Sequence, residues 1–292
     1  SKIENMKVAI IGGTGFIGRN ITKRFVDEGI NVVAISRNPI KFYERMGGKI
    51  EAREANILYP QQISDAIRGC DVVINCAGII REKGGNTFEG VHIQGVINIL
   101  HALKENRITR FVHISALGAG RGIETRYFRT KEIGEKLVVE SGLKWTIFRP
   151  SIVIGEDGGI FKKIKDLSIS PVLILPDMRG GKNQVVSVED LTNAVFISVV
   201  KKMAVKSIVE LGGRELSMDE LILRILQKIG KRRLIIRLPL QFSLSLIKTG
   251  ERILDGIIPI SSDEIIMATQ KITCSSTEVA EKLGITLKDP FE

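Results

Sequence analysis

The sequence predicts an α/β fold, a doubly wound parallel sheet carrying a smaller, partly interleaved C-terminal lobe. Between Met6 and Arg149, short β-branched apolar runs alternate with longer segments of helical period, the pattern of parallel strands joined by crossover helices. The first of those runs leads straight into the glycine-rich turn GGTGFIG at residues 12–18, and helical period follows at once. At 292 residues, 43% apolar and 26% charged, the chain is long enough for one large domain or for a core domain with an attached lobe.

The strands predicted in order are KVAII, NVVAIS, IEARE, DVVIN, RFVHIS and KWTIFR, with helices near 16–28, 39–46, 60–68, 88–105 and 127–141. After Pro150 the alternation becomes irregular and Gly155, Gly158, Gly159, Pro171, Pro176, Gly180 and Gly181 mark a loop-rich stretch. In QVVSVEDL, Ser187 is placed to cap a helix starting near Glu189, with acidic Asp190 three residues on. SMDELILRILQKIG reads as a helix capped by Ser217 and ended by Gly230, and PLQFSLSLIKTGERIL as a further helix. The expected organisation is a first unit over 1–150 and a smaller lobe over 151–292, with 184–200 packing back on the first unit.

Composition narrows the function classes. No apolar stretch approaches the ~18 residues of a membrane span and the start SKIENMKVAI lacks a secretion signal's apolar run, so a cytoplasmic protein is expected. Cys70, Cys76 and Cys274 are an odd number without metal-ligand spacing, so no disulfide framework and no metal site is expected. The net charge of +10 fits an anionic ligand or surface as readily as a solvated lysine-rich exterior. Nucleic acid is not an expected partner, because aromatic residues make up 5% of the chain and stacking recognition needs them. In GKRRLIIRLPLQFSLSLIKTGERIL, Lys231, Arg232, Arg233, Arg237, Lys248 and Arg252 surround an apolar segment. Two readings stand for it: a core-packed element with a solvated basic edge, or a peripheral contact with the anionic inner face of a membrane.

The glycine turn carries the first chemistry. Between strand and helix, Gly12 serves the tight turn, Gly15 lets the backbone approach a pyrophosphate, and Gly18 lets the helix pack on the sheet. The helix N-terminus supplies amide donors and a positive dipole end. This is the dinucleotide site of a Rossmann fold. At the end of the second strand, where a carboxylate would bind a ribose diol and repel a 2′-phosphate, the chain has Ser36 and Arg37. A guanidinium fork and a hydroxyl suit the 2′-phosphate, so NADP(H) is expected over NAD(H), against the alternative that Arg37 is a solvated loop residue. Tyr127 and Lys131 stand four apart and share a helix face. An ammonium held near the phenol lowers its pKa for proton transfer, and Lys131 is placed to hold the nicotinamide ribose.

GGTGFIG, NCAG, VHIQGVINIL, RFVHISALGAG, YFRTKEIGEKLV, FRPSIVIG and QVVSVEDL, in this order, resemble an extended or atypical short-chain dehydrogenase/reductase of the epimerase/dehydratase group. HISALGAG followed by YFRTKEIGEKLV is similar to relatives of the NADPH-holding accessory subunit of respiratory complex I. The resemblance is clear from Met6 to Val200. It implies cofactor contacts from Gly12, Thr14, Gly15, Phe16, Ile17 and Gly18, from Arg37, and from Cys76, Ala77 and Gly78, with Pro150, Ser151, Ile152 and Val153 on the nicotinamide side. After the third strand the family has Asp to read the adenine amino group. This chain has Asn56, whose amide oxygen also accepts, followed by Ile57. The family also carries Ser or Thr after the fifth strand to hold the substrate carbonyl. Here Ser115 is followed by Ala116, so Ser115 is either a catalytic donor or a plain strand-end residue. His92 is expected to be a satisfied core or surface histidine.

Two functions follow. One is an NADP(H)-dependent oxidoreductase acting on a small carbonyl or alcohol through Tyr127, Lys131 and Ser115. The other is an NADPH-holding structural or regulatory protein, slow or silent in turnover, with a membrane surface or respiratory complex as partner. Substrate and oligomeric state stay open.

Overall fold

The computed structural model describes residues 5–253 and 260–292, without the side chains of 251–253. The first part runs β1 (Lys7–Ile11), α1 (Phe16–Asp27), β2 (Asn31–Ser36), α2 (Ile40–Arg45), β3 (Glu51–Glu54), α3 (Pro60–Ile67) and β4 (Val72–Asn75). A π-helical turn, Gly90–Gln94, then leads into α4 (Gly95–Glu105), followed by β5 (Arg110–Ile114), α5 (Arg126–Glu140) and β6 (Lys144–Pro150). The second part contains β7 (Ile152–Gly155), α6 (Gly159–Leu167), β8 (Val172–Pro176), β9 (Lys182–Ser187), α7 (Val188–Val200), β10 (Ser207–Leu211) and β11 (Glu215–Leu216). It continues with α8 (Met218–Lys228), β12 (Leu234–Leu238), α9 (Leu240–Ile253), α10 (Ser262–Thr269), β13 (Lys271–Ile272) and α11 (Thr277–Leu283).

Seven strands form one parallel sheet in the order β10-β6-β5-β4-β1-β2-β3. Both faces are covered, which is why the central strands β1, β2 and β4 are largely apolar, while the edge strand β3, EARE, is polar and only half-buried. Val8 and Ile10 join Ile21 and Phe25 of α1 and Leu191 and Val195 of α7 in one core. Ala9 and Ile11 face the other way, onto Ile63 and Ile67 of α3 and Ile99 and Leu103 of α4. The connections diverge between β1 and β4, so the crevice in which open α/β sheets bind ligands lies at the carboxyl ends of those two strands.

The lobe has its own core, in which Phe161, Ile164, Leu175, Leu221, Ile222 and Ile265 meet. Its scaffold is a small sheet in which β9 is flanked by β11 and β13 and also pairs with β7. β8 and β12 form a separate parallel pair. Ser187 caps α7 by accepting from the Asp190 amide, as its spacing predicts, and Ser217 and Glu220 form a reciprocal capping box on α8. The expected division at residue 150 needs revision. Beyond 184–200, β10 adds the seventh strand alongside β6, and Val279 and Leu283 of α11 join the core beneath that sheet. The expected loop-rich stretch also differs, since it holds β7, α6 and β8.

The basic and apolar segment after Gly230 forms β12 and α9. Leu240, Leu244 and Ile247 pack into the lobe core, while Phe242 and Leu246 are exposed. Arg237 pairs with Asp219, and Lys231 and Arg233 donate to Ser168. The side chain of Arg252 lies outside the described residues, as do residues 1–4 of the opening segment. No helix among the described residues is long and apolar enough to cross a membrane.

Candidate active site

The turn after β1 is fixed by its backbone. The Gly12 and Gly13 amides donate to the Ile35 carbonyl of β2 at 2.8 and 3.2 Å, and the Gly15 amide donates to the Gly12 carbonyl. Gly12 has φ +74°, and a Cβ there would stand 2.8 Å from the Ala77 amide nitrogen. The glycine turn and the NCAG turn therefore touch at backbone distance. At Gly18 a Cβ would lie 2.1 Å from the Gly12 carbonyl oxygen, so only glycine lets α1 sit this close to the turn. No acidic side chain occupies the first turn of α1, and its opening amides, from Phe16, Ile17 and Gly18, precede the first helical hydrogen bond. An anion suits such a helix end.

Asn75 positions the NCAG turn. Its side-chain oxygen accepts from the Ala77 amide at 3.0 Å and its nitrogen lies 3.2 Å from His113 Nδ1. Burial holds His113 neutral, its pKa lowered to about 3, so Nδ1 accepts from Asn75. Burial likewise lowers His92 to about 2. Its Nε2 accepts from the Ile79 amide and its Nδ1 lies 2.9 Å from Thr130 Oγ1, so His92 is a satisfied core histidine. Cys76 follows β4 with its amide on the Ile11 carbonyl, and burial pushes its thiol up to about 12.

Lys131, on α5, enters the crevice from below. Its Nζ donates to the Ile114 carbonyl at 3.3 Å and lies 3.1 Å from where a Cβ on Gly78 would stand. Burial lowers its pKa to about 8, opposed by the charge of Glu135. Tyr127 differs from expectation. Burial, reinforced by Glu264, raises its phenol to about 12, and no hydrogen bond joins it to Lys131 among the described residues. The lysine is spent on the Ile114 carbonyl rather than on the phenol.

At the end of β2, Arg37 is exposed and reaches Asn86 Oδ1 at 3.3 Å, and Ser36 Oγ accepts from the Asn38 amide. Asn56 Oδ1 accepts from the Leu58 amide, which leaves its second lone pair. The Ile57 carbonyl is held by Asn98 of α4.

Between sheet and lobe lies a cavity of about 880 Å³, lined by Phe16, Tyr127, Pro150, Ser151, Ile152 and Val153 and continuing into the lobe. Phe16 packs beneath the turn 155–159, where a Cβ on Gly158 would stand 2.4 Å from its ring. Arg19 pairs with Asp157 at 2.8 Å and ties the same turn to α1. Ala116 lines the cavity and Ser115 does not. Ser115 Oγ is buried without a partner, and so is Ser151 Oγ, whose residue does line the cavity.

These features test whether a dinucleotide fits. Glycines stand where a Cβ would close the cradle, and the helix end carries no acid. The residues fit the group. Residues 12–168 match the family model described as NAD(P)H-binding.

The chain belongs to the NAD(P)H-binding family.

Among curated proteins it is similar to the NADH-ubiquinone oxidoreductase 40 kDa subunit, mitochondrial, of Neurospora crassa. The two are 29% identical over 189 residues, 63% of this chain and 50% of that protein. It is 31% identical over 146 residues to the photosystem II assembly factor Ycf39 of Synechocystis, covering 49% of this chain and 44% of that protein. The chain thus spans about half the length of the curated relatives it matches. Among solved structures, a nucleoside-diphosphate-sugar epimerase from Staphylococcus aureus superposes with TM-score 0.77 at 18% identity, over 97% of this chain and 98% of that one. That likeness extends the shared architecture through the lobe.

Sequence reasoning missed Asn75, His113, Arg19 with Asp157, and the α10 carboxylates. Asp263 accepts from the Tyr127 amide at 3.1 Å across 136 residues of chain, and no local pattern signals that. Asn75 was the legible one, since a polar residue closing an apolar strand must find partners.

Proposed function

We propose that this protein is an NADP(H)-dependent reductase or dehydrogenase acting on a carbonyl or alcohol. The observation that supports the reading is the cavity running from Phe16 and the Pro150–Val153 wall past Tyr127, in which Tyr127 would serve as the acid-base group next to the nicotinamide. When bound, NADPH supplies the hydride that reduces a carbonyl carbon. The amides opening α1 would hold the pyrophosphate, and Lys131 beside Gly78 the nicotinamide ribose. Tyr127, protonated at neutral pH because its value lies near 12, gives its proton to the carbonyl oxygen as the C=O π bond breaks, and regains one from solvent. The Ser151 hydroxyl is buried beneath the cavity wall, so the Tyr127 phenol would be the hydrogen-bond donor to that oxygen.

At the adenosine end, Ser36 and Arg37 support NADP(H) over NAD(H), because neither presents a carboxylate to the 2′-phosphate. Arg37→Ala is expected to weaken NADPH about 10–100-fold, the scale of a charge-assisted fork, and to leave NADH nearly unchanged. Calorimetric titration of both nucleotides checks this, and an equal loss for the two would remove Arg37 from selection. Tyr127→Phe is expected to slow NADPH oxidation against a ketone by roughly 10²–10⁴-fold. Unaltered rates would take Tyr127 out of the chemistry.

A second reading is favoured by Ala116. With no hydroxyl on the cavity wall there, bound NADPH would serve as a structural element of the fold or of an assembly. Tight nucleotide binding without turnover of any ketone would select it.

A further inference from the structure

We infer that the substrate is a neutral carbonyl compound carried on a long apolar chain, with the chain lying in the lobe. This rests on the reductase reading above and names the substrate class of that site.

Beyond the nicotinamide side, the cavity wall is built from Ile160, Ile164 and Leu167 of α6, Met218 and Ile222 of α8, and Met267 of α10. A volume near 880 Å³ is at the upper end of ordinary small-ligand sites. Its charges are already used. Lys162 pairs with Asp166 at 2.5 Å and Lys163 with Glu264 at 2.8 Å, and Arg81 is engaged as well. A phosphorylated or carboxylated substrate needs an uncommitted cation, and the lining offers none among the described residues.

The neutral polar groups are committed too. Asn183 donates to the Ala268 carbonyl, and Gln184 both donates to and accepts from the backbone of Cys274. What remains is the Tyr127 phenol, for which no hydrogen bond is found among the described residues, since the Ser151 hydroxyl is buried beneath the wall. One hydroxyl suffices for one carbonyl oxygen and for little else. A sugar in the same space would leave most of its hydroxyls unpaired, at a cost for each one buried.

The entrance has the same character. Ile80 and Ile174 line the cavity yet are 49% and 62% exposed, which places them at its mouth. Ile174 pairs in register with Ile236, and both stand on the outward face of the β8–β12 pair with Leu234. An apolar chain therefore meets aliphatic surface before it reaches the interior.

The test is a homologous series of 2-alkanones from 2-butanone to 2-undecanone, titrated calorimetrically into the NADP⁺-loaded full chain, with UDP-glucose and glyceraldehyde as polar comparisons. NADP⁺ affinity is measured first on the same samples. Kd is expected to fall about two- to fourfold per methylene, the scale of burying one CH₂, with UDP-glucose and glyceraldehyde binding more weakly than 2-undecanone. Ile160→Asn, which puts a polar amide on the apolar wall, is expected to weaken 2-undecanone about tenfold or more while 2-butanone changes little. Should that variant not fold, the wild-type slope decides. A flat series, tighter binding of either polar compound, or a folded Ile160→Asn with an unchanged slope overturns the inference and leaves the reductase reading standing. Failure to bind NADP⁺ at all overturns that reading itself.

Discussion

Lys131 shows how burial and position divide the work of one side chain. Helical spacing puts it on the face of Tyr127, but its ammonium turns to the Ile114 carbonyl and the NCAG turn, so the phenol keeps its proton. The folded-state value near 8 lies below the ordinary 10.5, and the unfolded chain therefore binds this proton more tightly. Below pH 8 both states are protonated and burial of the charge opposes folding in full. As pH rises from about 8 to 10.5 the penalty disappears. Lys131→Met is accordingly expected to stabilise the nucleotide-free protein by roughly 1–3 kcal/mol at pH 7, with little gain left at pH 10.5, and to weaken NADPH. Urea melts at the two pH values check this; equal destabilisation at both would refute the buried-ammonium account. That Lys131 and Tyr127 share a helix was legible from their spacing. The direction of the tyrosine shift was not, because burial sets it and Glu264 of α10, far along the chain, reinforces it.

At the scale of elements, the junction of β1, the glycine turn and α1 was legible almost to the residue. Its causes are local: alternating burial of a β-branched run, a positive φ at Gly12, and a helix that must clear the Gly12 carbonyl. Gly18→Ala drives a methyl to 2.1 Å from that oxygen and must push α1 off the sheet. It is expected to cost about 1–3 kcal/mol, the usual range for overpacking, and to weaken NADPH at least tenfold. Gly180→Ala is the contrast, because nothing lies within 4 Å of the added methyl and a change within about 0.5 kcal/mol is expected. Thermal melts and nucleotide titrations on the pair separate close approach from a general intolerance of substitution. The stretch from 151 to 183 was less legible, because its glycines and prolines punctuate elements too short to show a period. β7 has four residues and α6 nine, and they are held by β9 and by the lobe core rather than by their own propensity.

For the whole molecule, the crevice lies between turns that contact each other only in the folded chain, so nucleotide binding and folding are linked. NADPH at one hundred times its Kd is expected to add about 2.7 kcal/mol, a rise in Tm of roughly 4–5 °C for a chain of this size. Arg37→Ala should reduce that rise at a fixed NADPH concentration without altering the nucleotide-free Tm. A Tm insensitive to NADPH would contradict the assignment of the crevice. The lobe belongs to this scale too, since Arg19 with Asp157 and Phe16 beneath Gly158 tie it to the helix that opens the nucleotide site.

The sequence by itself determined the winding of the first six strands, the glycine turn between β1 and α1, and the shared helix of Tyr127 and Lys131. Each is written within a few neighbouring residues, through periodicity, turn geometry or helical spacing. Only the tertiary structure decided that β10 completes the sheet, that Ala116 rather than Ser115 lines the cavity, and that the cavity wall in the lobe is largely apolar. Those outcomes depend on pairing and packing between segments tens to more than a hundred residues apart, for which no local pattern carries a signal.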